Sequence, residues 1–200
     1  TNYDNQKCNG QDAVTLQTAF ALSCNTAFVE MSEQLGADEL RKYAKAFGVG
    51  ENYDLGVSTS AGTLGDLPDG SATAQSVIGQ RDVTMTALQA AVMAGTVANK
   101  GTRMQPYLVN RITDAQMKDV RTTKPKKADQ AVNEETAATL TDLMYASERS
   151  SWGYDGNGFA SKTGTAEHGE GLAPHVWYVA FDPERDIAVG VVVKNGGNLG

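Results

Sequence analysis

Ala160-Ser161-Lys162-Thr163-Gly164-Thr165-Ala166-Glu167 is the stretch on which the reading of this chain turns. It falls in a run, 159–167, with the β-branched and alternating character of a strand, and two similar runs follow at 175–181 and 187–194. Asp182-Pro183-Glu184-Arg185-Asp186 reads as the hairpin turn joining the last two. A lysine on such a strand holds an ammonium in a fixed place, able to attract a carboxylate and to disfavour the charged form of a neighbouring lysine. Gly164 leaves the strand without a side chain at one point. Alone, Lys-Thr-Gly is also compatible with a strand that merely ends in a turn.

Ser23-Cys24-Asn25 lies 139 residues earlier, counted from Ser23 to Lys162. The surrounding 15–35 is apolar at helical spacing (Leu16, Ala19, Phe20, Ala27, Phe28, Met31, Leu35), with a break at 23–25 and a stop at Gly36. Serine and asparagine between helical segments commonly serve as caps, so an Asn25 N-cap is the plain alternative to a chemical role. Asp38 is placed to cap a helix running to Phe47, with Gly48 as its left-handed stop. Residues 50–79 read as one long glycine-bearing loop of the kind that walls a cleft. A buried, small-residue helix is predicted over 84–98, ended by Gly101. Beyond it, 104–112 reads as a strand, and 122–127 as a connector with Lys124, Lys126 and Lys127 in solvent. Asn133 caps a helix with Glu134 and Glu135 in its first turn, ending near Ser147. Residues 149–158 form a loop, and no internal repeat or domain boundary is visible.

Two hundred residues, 40% of them hydrophobic, suffice for one core. With 24 acidic against 17 basic residues, the net charge of -7 argues against a nucleic-acid surface. No run of 18 apolar residues exists, and Thr1-Asn2-Tyr3-Asp4 does not read as a signal peptide, so a membrane anchor is expected outside the chain. His168 and His175 stand seven apart without a cysteine or carboxylate cluster, so no metal and no cofactor is expected. Trp177 and Tyr178 read as core residues, whereas Trp152 and Tyr154, in the loop before the Lys162 strand, are candidates for cleft contacts. Cys8 and Cys24 are either a disulfide pair or two small buried hydrophobes.

Three more stretches carry a resemblance: 19–28 around Ser23, then Ile78-Gly79-Gln80 with Leu88-Gln89, then Met104-Gln105-Pro106-Tyr107-Leu108. With the Lys162 strand they make the chain similar, over nearly its whole length, to the C-terminal portion of a penicillin-binding protein transpeptidase domain. The Ser-Cys-Asn-Thr-Ala-Phe form is most similar to actinobacterial class B members. That family also uses a nucleophile motif, Ser-x-x-Lys. None is present: Ser23 meets Thr26, Ser58 meets Ala61 and Ser161 meets Gly164. The nucleophile is therefore expected outside these residues, the chain is expected to be inactive alone, and its end at Gly200 suggests trimming before a terminal helix.

The resemblance implies an α+β fold of the penicillin-binding/β-lactamase type, an antiparallel sheet flanked by helices and faced by a helical lobe. About 1–102 would supply much of that lobe, and about 103–200 a strand, a helix and three sheet strands. It further implies a serine D,D-transpeptidase that cross-links peptidoglycan stem peptides ending in D-Ala-D-Ala and is acylated by β-lactam antibiotics. Ser23 would relay a proton, Asn25 would hold the donor's carbonyl and the catalytic lysine, and Lys162 would supply the fixed charge. Thr163 and Thr165 would offer hydroxyls to a terminal carboxylate and Gly164 room for the donor, laid along the strand by β-augmentation. The Thr165 N–H would be one oxyanion donor. An extracytoplasmic, membrane-anchored setting is implied, with other cell-wall synthesis proteins as partners, and that setting favours the Cys8–Cys24 bridge. The alternatives are a carboxypeptidase or β-lactamase-like hydrolase, and a non-catalytic module that binds stem peptides or β-lactams.

Overall fold

A computed structural model of the chain describes residues 8–197; Thr1 to Asp4 and the end at Gly200 lie outside it. The fold is α+β. After a short 3-10 turn (Cys8–Gly10) come α1 (Leu16–Ala21), α2 (Asn25–Ala46), α3 (Gly70–Val77) and α4 (Ala87–Ala98). Then follow β1 (Thr102–Met104), β2 (Arg111–Thr113), β3 (Asp119–Thr122), β4 (Lys127–Gln130), α5 (Glu134–Ser150), β5 (Ala160–Ala166), β6 (His175–Asp182) and β7 (Ile187–Val193). The last three form one antiparallel sheet in the order β5-β6-β7, while β1 pairs with β4 and β2 with β3 in separate two-stranded ribbons.

Local chemistry sets the helix starts. Thr15, Asp69, Thr86 and Asn133 each accept a backbone N–H from three residues on, the N-cap bond that satisfies an otherwise orphaned donor. At α4 the cap is a full capping box, Gln89 returning the bond to the Thr86 N–H. The same Gln89 is buried and its Nε2 donates to the carbonyls of Gly48 and Ala61, which pins the loop after α2 to α4. Gly36, at φ 75 and ψ 165, is not helical: as expected it breaks the helical run, and α2 is two helical segments joined at a kink there, the second ending at Ala46.

The helix α4 lies against the sheet because both surfaces are small. Gly190 of β7 would carry its Cβ 2.3 Å from the Ala87 carbonyl oxygen, so only glycine permits this approach. Ala94 and Val97 of α4, Met144 of α5, Ala160 and Phe181 then close a core completed by Phe20, Phe47, Leu140 and Val179. Burial of this apolar surface is the main favourable contribution to the fold.

Two expectations are corrected. Residues 50–79 are not all loop, since 70–77 form α3; its alanines and hydroxyl residues give little apolar contrast, and its signal is the Asp69 cap. The run 104–112 is not one strand: β1 ends at Met104, β2 begins at Arg111, and Leu108 and Val109 are exposed between them. Their apolar side chains mimic a core strand without facing a core. Helix α5 also continues three residues past Ser147.

Candidate active site

Two different elements meet here. The chain leaves α1 at Leu22 and enters α2 at Asn25, and the turn between them puts Ser23 in the left-handed region at φ 53. A non-glycine residue held there costs of order 1–3 kcal/mol and persists only when its surroundings hold it. Backbone bonds from Ser23 N to Phe20 O (3.2 Å) and from Cys24 N to Ala19 O (2.9 Å) do so on one side. On the other, Cys24 is bonded to Cys8, with Cα atoms 5.6 Å apart and both residues buried. Cys24, not Asn25, occupies the N-cap position of α2, and its side chain makes no capping bond.

Lys162 crosses to this turn from β5. Its Nζ donates to Ser23 Oγ and to the Thr163 carbonyl at 2.9 Å, and it stands 5.9 Å from the centre of the Phe20 ring. The structure thus brings Ser23 and Lys162 into direct contact across 139 residues of sequence. Burial lowers the Lys162 pKa from 10.5 to about 8, because the charged form loses hydration.

Beneath Lys162 opens an apolar cleft of about 570 Å3, walled by Phe20 and Phe47, by Ile78 and Gln80, and by residues 162–166 of β5. Strand alternation puts Lys162 and Gly164 on the face shared with Val179 and Trp177, their partners in register, and Thr163 and Thr165 on the other. All four border the cleft because β5 is an edge strand. Gln80 Nε2 approaches the Thr165 carbonyl at 3.4 Å from the opposite wall. Trp177, expected in the core, lines the cleft instead, since it lies opposite Gly164, where no side chain covers it. Trp152 is 97% exposed and Tyr154 is exposed, and neither is among the cleft-lining residues.

His168 and His175 stack with ring centres 3.8 Å apart at the far end of the β5–β6 hairpin. His175 Nδ1 accepts the Asn195 N–H, and burial followed by the His168 and Lys194 charges lowers its pKa. Sequence reasoning missed one buried group, Glu148, which accepts hydrogen bonds behind β5. Its spacing is the available signal: it lies four residues after Met144, on the buried stripe of α5.

The family model described as penicillin binding protein transpeptidase domain matches residues 1–200 of the chain. The chain belongs to that family. It is 43% identical to the peptidoglycan D,D-transpeptidase PbpA of Mycolicibacterium smegmatis over 98% of the chain, and 40% identical to the protein of the same name from Mycobacterium tuberculosis over 98%. It spans 42% of the length of each of these relatives. Among solved structures, the penicillin G acyl-enzyme complex of penicillin-binding protein A from M. tuberculosis superposes with a TM-score of 0.91 at 40% identity, covering 98% of this chain and 46% of that one. The imipenem acyl-enzyme of the same protein gives 0.89 at 40% identity, covering 96% and 45%.

Proposed function

We propose that this chain is the part of a serine D,D-transpeptidase that holds the acyl donor and manages its protons, in a protein that cross-links peptidoglycan stem peptides. The observation that carries the reading is the contact of Lys162 Nζ with Ser23 Oγ at the open edge of β5. A donor peptide can lie along that edge through backbone bonds, with Gly164 leaving room for it and the Lys162 ammonium attracting its terminal carboxylate. The serine nucleophile and its lysine partner come from a Ser-x-x-Lys segment outside these 200 residues, and the apolar cleft wall under Lys162 suits the packing of the element that bears them.

In the reaction the serine oxygen attacks the carbonyl carbon of the penultimate D-alanine. The negative charge on that carbonyl oxygen is met by backbone donors, the Thr165 N–H among them. The C–N bond to the terminal D-alanine breaks, and the departing amine takes a proton relayed through Ser23. An acceptor amine then attacks the acyl-enzyme, loses a proton along the same route, and returns the serine hydroxyl. Asn25 holds the donor's carbonyl and orients the catalytic lysine. The site works on the extracytoplasmic side of the membrane, where this substrate lies. β-Lactams acylate the same serine.

The test uses the full-length natural protein with a donor peptide ending in D-Ala-D-Ala and a D-amino acid as acceptor. Mass spectrometry is expected to show released D-alanine and the acceptor joined to the donor. Release of D-alanine with only the hydrolysed donor would make it a carboxypeptidase, and binding without release would make it a non-catalytic module; either overturns the reading.

A further inference from the structure

Glu148, in the last turn of α5, is a carboxylate only 5% exposed. Burying a carboxylate is costly unless its oxygens are bonded, and a cation usually supplies part of that compensation. Among the described residues no cation pairs with Glu148. Three neutral donors do the work, each from a different part of the chain: Ser161 Oγ of β5 to Oε2, Tyr178 OH of β6 to Oε2 at 2.9 Å, and Asn157 Nδ2 of the α5–β5 loop to Oε1 at 3.0 Å. Glu148 accepts in all three. Burial, and then the Glu148 carboxylate, raise the Tyr178 hydroxyl pKa against the lowering effect of Ser161, which keeps Tyr178 a donor.

The placement of those donors matters more than their number. Ser161, fully buried, is the residue before Lys162, and alternation sends its side chain away from the cleft as that of Lys162 enters it. Tyr178 is the register partner of Thr163, the residue after Lys162. Asn157 Oδ1 accepts the Phe159 N–H at 3.0 Å, so the loop entering β5 is tied to the same carboxylate. Glu148 therefore holds β5 directly through Ser161, the loop entering it through Asn157, and β6 through Tyr178 opposite Thr163, at a strand that has one strand neighbour among the described residues.

We infer that Glu148 is a positioning residue for Lys162: it fixes the height and twist of β5 so that the ammonium meets Ser23 and the open edge meets the donor. The inference rests on the transpeptidase reading of the site. Its action is through hydrogen-bond geometry and not through charge, in keeping with burial being the cause of the lowered Lys162 pKa. A glutamine can hold the same three partners, since its oxygen accepts from Asn157 while its amide donates to the Ser161 and Tyr178 hydroxyls, which can turn to accept.

The experiment measures benzylpenicillin acylation of the full-length natural protein, separating the rate at saturating antibiotic from the binding constant, with melting curves confirming that each variant is folded. Glu148→Ala is expected to lower the saturated rate about tenfold, the scale of a small misplacement of a reacting group, while Glu148→Gln stays within about threefold of wild type. Ser161→Ala, which removes one bond, lowers the rate in the same direction and serves if Glu148→Ala does not fold. In a Lys162→Ala background, Glu148→Ala is expected to add nothing, because it acts through Lys162. Wild-type rates in Glu148→Ala and Ser161→Ala, or a loss that adds in full to that of Lys162→Ala, overturn the inference while leaving the transpeptidase reading intact. A wild-type protein that takes no adduct overturns the reading, and the inference with it.

Discussion

The two sides of this site are held by opposite means. On the sheet side, Lys162 sits in regular structure, paired along β6 from Ala160 to Ala166 and gripped from behind by a buried carboxylate. On the helical side, Ser23 sits in an irregular turn with a left-handed backbone, restrained by two backbone hydrogen bonds to α1 and by the covalent bond from the next residue to Cys8. A strand distributes its restraint over many bonds, whereas a turn of this kind depends on few. Losses on the sheet side should thus appear as changes in rate, and losses on the helical side as changes in stability and rate together.

The largest break is Lys162→Ala, expected to lower the second-order rate of β-lactam acylation about 100-fold, comparable to removing a preorganised donor from an active site. Stopped-flow or gel-based labelling of the full-length protein measures it. Next comes the helical side: replacing Cys8 and Cys24 by serine opens a loop with a sequence separation of 16 and is expected to cost about 3 kcal/mol in the chain-entropy model. Denaturant unfolding reads this, and acylation of the folded fraction should fall too if the bridge holds Ser23. An unchanged midpoint would show that the turn does not need its tie.

Gly164→Ala is smaller. Its Cβ would sit 3.4 Å from Trp177 Cβ, a contact the fold tolerates, yet it would protrude where the donor must lie. Acylation is expected to fall about tenfold with an unchanged melting temperature.

pH sharpens the comparison by giving two opposite slopes. The folded pKa of Lys162, about 8, lies below its ordinary 10.5. Between these values the unfolded chain binds more protons, so this group's contribution to stability is lost as pH falls through about 8 and is full above 10.5. Attraction for a substrate carboxylate runs the other way and fades as pH rises through about 8. Rates and melting temperatures between pH 6 and 10 should diverge, and Lys162→Arg, charged throughout, should abolish the alkaline loss of rate. The smallest effect is Trp152→Ala, expected within about 0.5 kcal/mol of wild type in stability and unchanged in acylation, because the side chain is 97% exposed.

The same contrast explains what could be read in advance. Strands β5 to β7 announced themselves because their apolar content and the turn at 182–186 agree with the ladder they form. The break at 23–25 was legible because the helical periodicity fails there. Ribbon strands β3 and β4 were not, since every residue in them is exposed and no face is selected for burial. Helix α3 was missed for want of apolar contrast. The approach of Lys162 to Ser23 is a tertiary fact with no local signal; only the co-occurrence of two known motifs pointed to it. Trp177 illustrates the converse error: an aromatic on an inner strand reads as core, and it becomes a cleft wall only because a glycine stands opposite.

The central claim is that Ser23 and Lys162 serve a serine acyl-enzyme, and intact mass of the full-length natural protein before and after benzylpenicillin tests it most directly. The account predicts one stable equivalent of adduct, mapping to the serine of a Ser-x-x-Lys segment outside these 200 residues and forming far more slowly in Lys162→Ala. An adduct that never forms, or one that forms equally fast without the Lys162 ammonium, would contradict it.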